Sequence, residues 1–444
     1  SKLAETTQKF SEHVLDARQA FKLVIEDEEK LAGLPESAKR AALELAKQRD
    51  EASDEDPKWL FTLDHTSYGP FMTYLDDSDL REQMWRGASV IGRESERNNL
   101  PLIAEILNLR ARRSKLLGFE HFPDLTLSRR MAKTGATALR FIEDLHQKSE
   151  KFFSREIQEL EEFRATELAQ APASLEPWSF GYWSEKQRSK AYDFDQELLR
   201  PYFSLDSVMS GLFELVQELF NIRIVKLESV VCDGSTDLDP GTVEVWHEQV
   251  RAYEIFDHSN RKLGLFYADI FPRTGKRGGA WMNPLQSGGV LPNGSKELHV
   301  GLICGNMTLP IGDKPALLIH REVETVFHEF GHLLHHMLGD VDIPALNGTR
   351  VAWDFVELPS QIMENWCWEK EALDRFARHY ETGEAIPDEL FQKMLSARNF
   401  QSGLGMMRQL SFGKMDLELH LAQRSWKATD IDDFIETALD GYKV

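Results

Sequence analysis

The sequence predicts a mainly α protein with a small antiparallel sheet. Three observations carry that expectation. Long segments repeat apolar residues at spacings of three and four, strand-like alternation gathers over about 241–305, and a helix with paired histidines follows it. Spacings of three and four put side chains on one helix face, whereas a period of two alternates across a strand.

In chain order, Phe10, Val14, Ala17, Phe21 and Val24 give a first helix its apolar stripe. Leu34-Pro35-Glu36-Ser37 interrupts it, and a second helix is expected from Ser37, whose hydroxyl can cap it. Residues 51–57 are acidic and polar and read as a loop. Asp77 and Ser78, both capping types, open a helical pattern over 78–117 that carries Ile103, Ile106, Leu107 and Leu109, with Gly118 as its stop. Residues 136–168 form a long Glu-rich helix with Phe141, Leu145, Phe152 and Ile157, its charged face solvated. The Pro- and aromatic-rich stretch 171–188 marks a boundary, so a helical domain is expected over 1–170 and a second domain over 171–444.

The strands follow. Tyr253 and Ile255 alternate with polar neighbours, Asp257-His258-Ser259-Asn260 is a turn, and Leu265, Tyr267, Asp269 and Phe271 continue at period two. Two further strands are expected over 279–283 and 298–304, joined by a Gly- and Pro-containing loop over 285–296. After residue 360 the pattern is helical to the end.

A chain of 444 residues is long enough for two large or three ordinary domains and a sizeable core. Its 42% apolar and 28% charged content is that of a soluble globular protein. No apolar run approaches the ~20 residues of a membrane span, and the opening residues lack the apolar core of a signal peptide. A net charge of −21 disfavours nucleic acid and anionic membrane, both of which need basic patches. It implies solubility first, and an acidic groove for basic peptides as the sharper alternative. Cys232, Cys304 and Cys367 are too few and too widely spaced for a disulfide framework. They are expected as small core residues in a reducing compartment. Cytoplasmic placement is expected, and an organellar transit peptide is compatible with a chain that opens on Ser1.

The chemistry concentrates in His328-Glu329-Phe330-Gly331-His332, an H-E-x-x-H pattern. Residues at i and i+4 share a helix face, so two imidazoles can reach one metal ion at about 2.0–2.1 Å. Glu329 sits beside the first histidine, where its carboxylate can take a proton from water at the metal. Apolar Val323, Val326, Phe327, Leu333 and Leu334 flank the pattern and make 321–338 a helix. Gly331 costs that helix about 1 kcal/mol relative to Ala, tolerable if the small residue admits a close neighbour. A third ligand is needed. A third histidine fails, because His335 and Leu338 stand where that longer motif has Gly and His. A carboxylate from a following helix is the other solution. Asp354 and Glu357, one turn apart on one face, offer one group for the metal and one to hydrogen-bond behind it.

HEFGH at 328–332, followed by NGTRVAWDFVELPSQIMENW at 347–366, closely resembles the thimet oligopeptidase and oligopeptidase A family of zinc metallopeptidases. KRGGAWM at 276–282, GYWSEKQ at 181–187, LRPYF at 199–203 and KPALLIH at 314–320 extend the likeness over nearly the whole chain. The resemblance implies that His328, His332 and Glu357 hold one Zn2+ and that Glu329 is the catalytic carboxylate. Glu324, four residues before His328 on the same helix face, and Asp354 are the candidates to support the ligands. The implied fold is an elongated, helical, channel-containing molecule with a zincin-like core at the channel floor. Residues 1–170 then form channel wall and 171–444 the catalytic domain. Short peptides are the implied substrates, with no nucleic-acid or membrane partner. The strand over 298–304 is expected to offer its edge to an extended peptide. The loop at 347–349 is expected near the substrate, Gly348 permitting an unusual φ.

The sequence departs from the family pattern, which is longer at both ends and has a Tyr- and Gly-rich segment with a His well beyond the third ligand. That segment is held to stabilise the oxyanion. Here only His379, Tyr380, His420 and Tyr442 follow Glu357 as His or Tyr, and His379-Tyr380 is expected on a helix with a structural role. A truncated catalytic domain is therefore expected. Losing one oxyanion donor costs ~10²–10³ in rate. Two functions follow: a zinc-dependent oligopeptidase with Glu329 as general base, or an inactive or weakly active peptide-binding fragment that retains the metal site.

Overall fold

The computed structural model describes residues 1–93, 95–232, 241–273, 275–291 and 293–442. Pro292 of the expected 285–296 loop, and Lys443 and Val444 at the expected chain end, lie outside them. The contacts gather into two units, Ser1–Asp193 with Ala397–Val444, and Phe194–Ser396. These are drawn at different residues from the domains expected over 1–170 and 171–444. Among the described residues no helix is long and apolar enough to cross a membrane.

The first unit opens with α1 (Lys2–Ala20), which stops before Phe21. Val24, expected on that helix, lies instead in β1 (Leu23–Ile25), which pairs antiparallel with β2 (Trp59–Phe61). Pairing with a distant strand overrides the local helical spacing. Helix α2 (Glu36–Gln48) starts one residue before the expected cap, on Pro35, so Ser37 lies inside it. The helices α3 (His65–Tyr74) and α4 (Ser78–Ser89) follow. Asp77 caps α4 by accepting from the N–H groups of Asp79 and Leu80. The expected single helix over 78–117 is two, because the chain turns before α5 (Leu100–Leu116). Gly118 ends α5 at φ +82°.

Helices α6 (Phe122–Leu127), α7 (Gly135–Glu167) and α8 (Phe180–Tyr192) complete the N-terminal part of this unit. The charged face of α7 is not wholly solvated. Glu156 is buried and accepts from the N–H groups of Gly403 and Leu404.

The second unit carries the sheet. Helix α9 (Leu205–Phe220) ends on Asn221 at φ +51°, and β3 (Ile222–Val231) starts at once. This strand lies outside the expected strand region, although Asn221 and the β-branched Ile222, Ile224 and Val225 around Arg223 signal it. It is joined by β4 (Thr242–Val245), β5 (Arg251–Asp257), β6 (Lys262–Asp269) and β7 (Trp281–Gln286). A two-stranded ribbon, β8 (Gly289–Val290) with β9 (Lys296–Glu297), and then β10 (His299–Cys304) follow.

Among the described residues the main sheet has six strands in the order β4-β3-β5-β6-β10-β7. The class is as expected, helices with a sheet, but the sheet is mixed: β3–β4 and β6–β10 are parallel. The strand at 298–304 does not offer an edge, because β10 is paired on both sides, by β6 and by β7. The outer strand next to it is β7.

Helix α10 (His320–Met337) follows the sheet, then α11 (Trp353–Glu364), α12 (Lys370–Phe376) and α13 (Asp388–Ala397). Helices α14 (Ser402–Leu421) and α15 (Ile431–Ala438) return to the first unit. His379 and Tyr380 lie not on a helix but in the turn after α12, where His379 Nδ1 accepts from the N–H groups of Glu381 and Thr382. Of the cysteines, all free, Cys304 and Cys367 are buried as expected and Cys232 is exposed.

Candidate metal centre

Helix α10 is fixed first at its start. Buried Glu322 accepts from the N–H of Ile319, a donor that the helix start leaves open, and from the N–H of Thr308 in the preceding loop. Its inner face is aromatic. Phe330 packs against Phe213 of α9 and Phe266 of β6, and Phe327 against Phe376 of α12. With that face buried, the turn-related His328 and His332 share another face, their rings edge to face at 4.9 Å.

The neighbour that Gly331 admits is α11. A Cβ at Gly331 would lie 2.6 Å from Ser360 Cα and 2.8 Å from Pro359 O, so only glycine allows the two backbones this close. That approach delivers Glu357. Its Oε2 lies 3.2 Å from His328 Nε2 and 3.1 Å from His332 Nε2. Candidate ligand atoms of the three residues all fall within 4.8 Å of one another. Ser360, fully buried, holds this carboxylate by donating to Glu357 Oε2 at 2.9 Å.

His328 is oriented from behind. Its Nδ1–H donates to Glu364 Oε1 at 2.6 Å, which leaves Nε2 as the lone-pair nitrogen turned to Glu357. Sequence reasoning missed Glu364, Ser360 and the backbone of Met282. The signal for two of them was present: Ser360 and Glu364 lie three and seven residues after Glu357, on its helix face. Two other carboxylates, Glu324 and Asp354, were expected in this supporting role. Glu324 Oε1 accepts from Trp368 Nε1 at 2.7 Å, and Asp354 is exposed on the first turn of α11.

Glu329 is 6% exposed and accepts a hydrogen bond from the N–H of Met282 on β7. Burial pushes its carboxyl up to about 7; the charge of Glu357 adds to the rise, while His328 and the Met282 N–H oppose it. A carboxyl poised near neutrality suits a group that both takes and returns a proton. Burial likewise lowers His332, favouring the neutral imidazole that a metal requires.

The residues fit a zinc ion on two grounds. Two imidazoles and one carboxylate are a zinc donor set that leaves a fourth position open. Their N···O separations of 3.1 and 3.2 Å are also close to the edge of a tetrahedron with ligands at ~2.0–2.1 Å, about 3.3 Å.

A sheet followed by an H-E-x-x-H helix, with a glutamate on the helix packed against it, is a zincin-like core. The chain belongs to Peptidase family M3, whose family model matches residues 71–442. It is 40% identical over 448 residues to the Haemophilus influenzae protein named Oligopeptidase A, covering 98% of this chain and 62% of that protein. The Oligopeptidase A of Escherichia coli is 40% identical over 426 residues, covering 95% of this chain and 60% of that one. The chain thus spans about three fifths of the length of these curated relatives. A crystal structure provisionally described as an oligoendopeptidase F shares the fold, with a TM-score of 0.50 at 12% identity over 99% of this chain and 57% of that one.

Proposed function

We propose that this chain hydrolyses peptide bonds in short peptides with one bound zinc ion held by His328, His332 and Glu357. The observation that carries the reading is the convergence of both Nε2 atoms on Glu357 Oε2 beside a buried Glu329. Zinc, when bound, supplies a Lewis acid that polarises the scissile carbonyl and acidifies water. Glu329 accepts the proton of the attacking water on its carboxylate and returns it to the leaving amine. Glu364 and Ser360 keep His328 and Glu357 in place, so the site is assembled before substrate arrives.

The names of the relatives support short peptides as the substrate class. The net charge of −21 supports neither nucleic acid nor anionic membrane as a partner. The free cysteines support a reducing compartment such as the cytoplasm.

The test is cleavage of an internally quenched peptide by the zinc-supplemented chain, before and after a chelator. Turnover that the chelator abolishes and zinc restores is expected. Turnover indifferent to the chelator, or none from a folded chain with zinc bound, contradicts the proposal.

A further inference from the structure

Helix α10 carries a third histidine in the same series, His336, one turn beyond His332. It turns away from the metal centre. Its ring is fully buried, and Nε2 lies 3.0 Å from Gln286 O and 3.2 Å from Val300 O. Those two carbonyls belong to β7 and β10 at the point where their pairing slips. The register steps from Val300–Gln286 to Gly301–Pro284, and Leu285 has no partner across the pair. Pro284 has no N–H to give. The slip thus leaves two carbonyls, partly shielded from water, without a ladder donor between them, and a donor from elsewhere relieves them. Nε2–H of His336 is that donor.

The opposite side of the ring is closed by the loop after α10. A Cβ on Gly348, whose φ is +61°, would lie 2.8 Å from His336 Nδ1. The loop cannot drift, because buried Asn347 donates to Gly288 O and Val341 O. His336 is therefore gripped between the sheet and this loop.

The same helix and strand also come together nearer the metal centre, where the backbone N–H of Met282 favours the charged form of the Glu329 carboxylate. From Glu329 to His336 is seven residues, about 10 Å of helix. From Met282 to Gln286 is four residues, about 13 Å of strand, less where the strand bulges. The His336 bonds thus tie the C-terminal end of β7 to α10. Among the described residues β7 is the end strand of the sheet, its far edge unpaired.

We propose that His336 is a positioning residue that holds the end strand β7 in register on the metal helix, so that the strand presents its free edge to an extended peptide beside the metal centre. This rests on the peptidase reading for its substrate and on geometry alone for the register.

The experiment compares wild type, H336F, H336Q and G348A as full chains. Hydrogen exchange over 281–286 and 299–304 is measured without metal, and peptide cleavage with zinc. Phe removes the donor, Gln restores one, and Ala at 348 displaces the ring while keeping it. Exchange of both segments is expected to speed about tenfold in H336F and to rise in G348A, with H336Q near wild type. KM is expected to rise about tenfold in H336F and to return in H336Q, kcat changing less than about threefold. Unchanged exchange in a folded H336F or G348A overturns the proposal. So does faster exchange with unchanged KM, which would make His336 merely structural. If H336F fails to fold, G348A against H336Q decides. If zinc-loaded wild type fails to cleave, the peptidase reading falls while exchange still decides the register.

Discussion

Gly331 and Ser360 meet backbone to backbone, and a methyl at residue 331 would stand 2.6 Å from Ser360 Cα. The glycine inside the H-E-x-x-H turn is what brings the glutamate of the next helix onto both histidines. G331A gains about 1 kcal/mol of helix propensity and loses about 1–3 kcal/mol to overpacking. Thermal stability should therefore fall by less than about 2 kcal/mol, while zinc affinity falls about tenfold or more because Glu357 is pushed back. Melting curves together with zinc competition against a chromogenic chelator separate the two effects.

Glu364 fixes the tautomer of His328 through a 2.6 Å hydrogen bond. Supporting carboxylates of this kind contribute 10–100-fold to metal affinity. E364A is expected to weaken zinc binding by about that factor, and E364Q, which keeps an acceptor oxygen, by less. Equal affinity in E364A and wild type would show that His328 needs no such partner.

The legible part of the site was local. His328, Glu329 and His332 declare themselves by spacing on one helix, and Gly331 by being a poor helix former at the centre of the pattern. Glu357 needed either the resemblance or the argument for a third ligand. Met282 contributes only a backbone N–H, which no residue type signals, and strand order was equally invisible. Period two in 298–304 reveals a strand, but not that β6 and β7 cover both its edges. Likewise Val24 obeys the helical stripe of α1 and yet pairs with Leu60 in β2, a partner 36 positions away in sequence. Spacing reports faces; pairing across the chain decides which segments become strands.

Asp269 is 3% exposed and anchors the segment that leads into β7. Burial pushes its carboxyl up, but hydrogen bonds from Arg273, Lys276 and Trp246 outweigh it and hold it at about 2, against an ordinary 3.8. A folded value below the unfolded one contributes stability above pH 3.8 that is lost as pH falls through about 2. The difference is about 2 kcal/mol at neutral pH. D269N should lose at least that at pH 6, since Lys276 is then left buried beside an amide. The gap to wild type should narrow by about half near pH 3. Urea unfolding of both proteins at the two pH values measures it, and a gap independent of pH would contradict the assignment.

On the proposed function, Glu329 moves the proton while His328, His332 and Glu357 hold the zinc. The most direct measurement is turnover of a short internally quenched peptide by wild type and E329Q, each shown to carry one zinc per chain. Equal zinc content and a loss of about 10²–10⁴ in kcat are expected for E329Q. Zinc-loaded E329Q that cleaves as fast as wild type would contradict this role of Glu329.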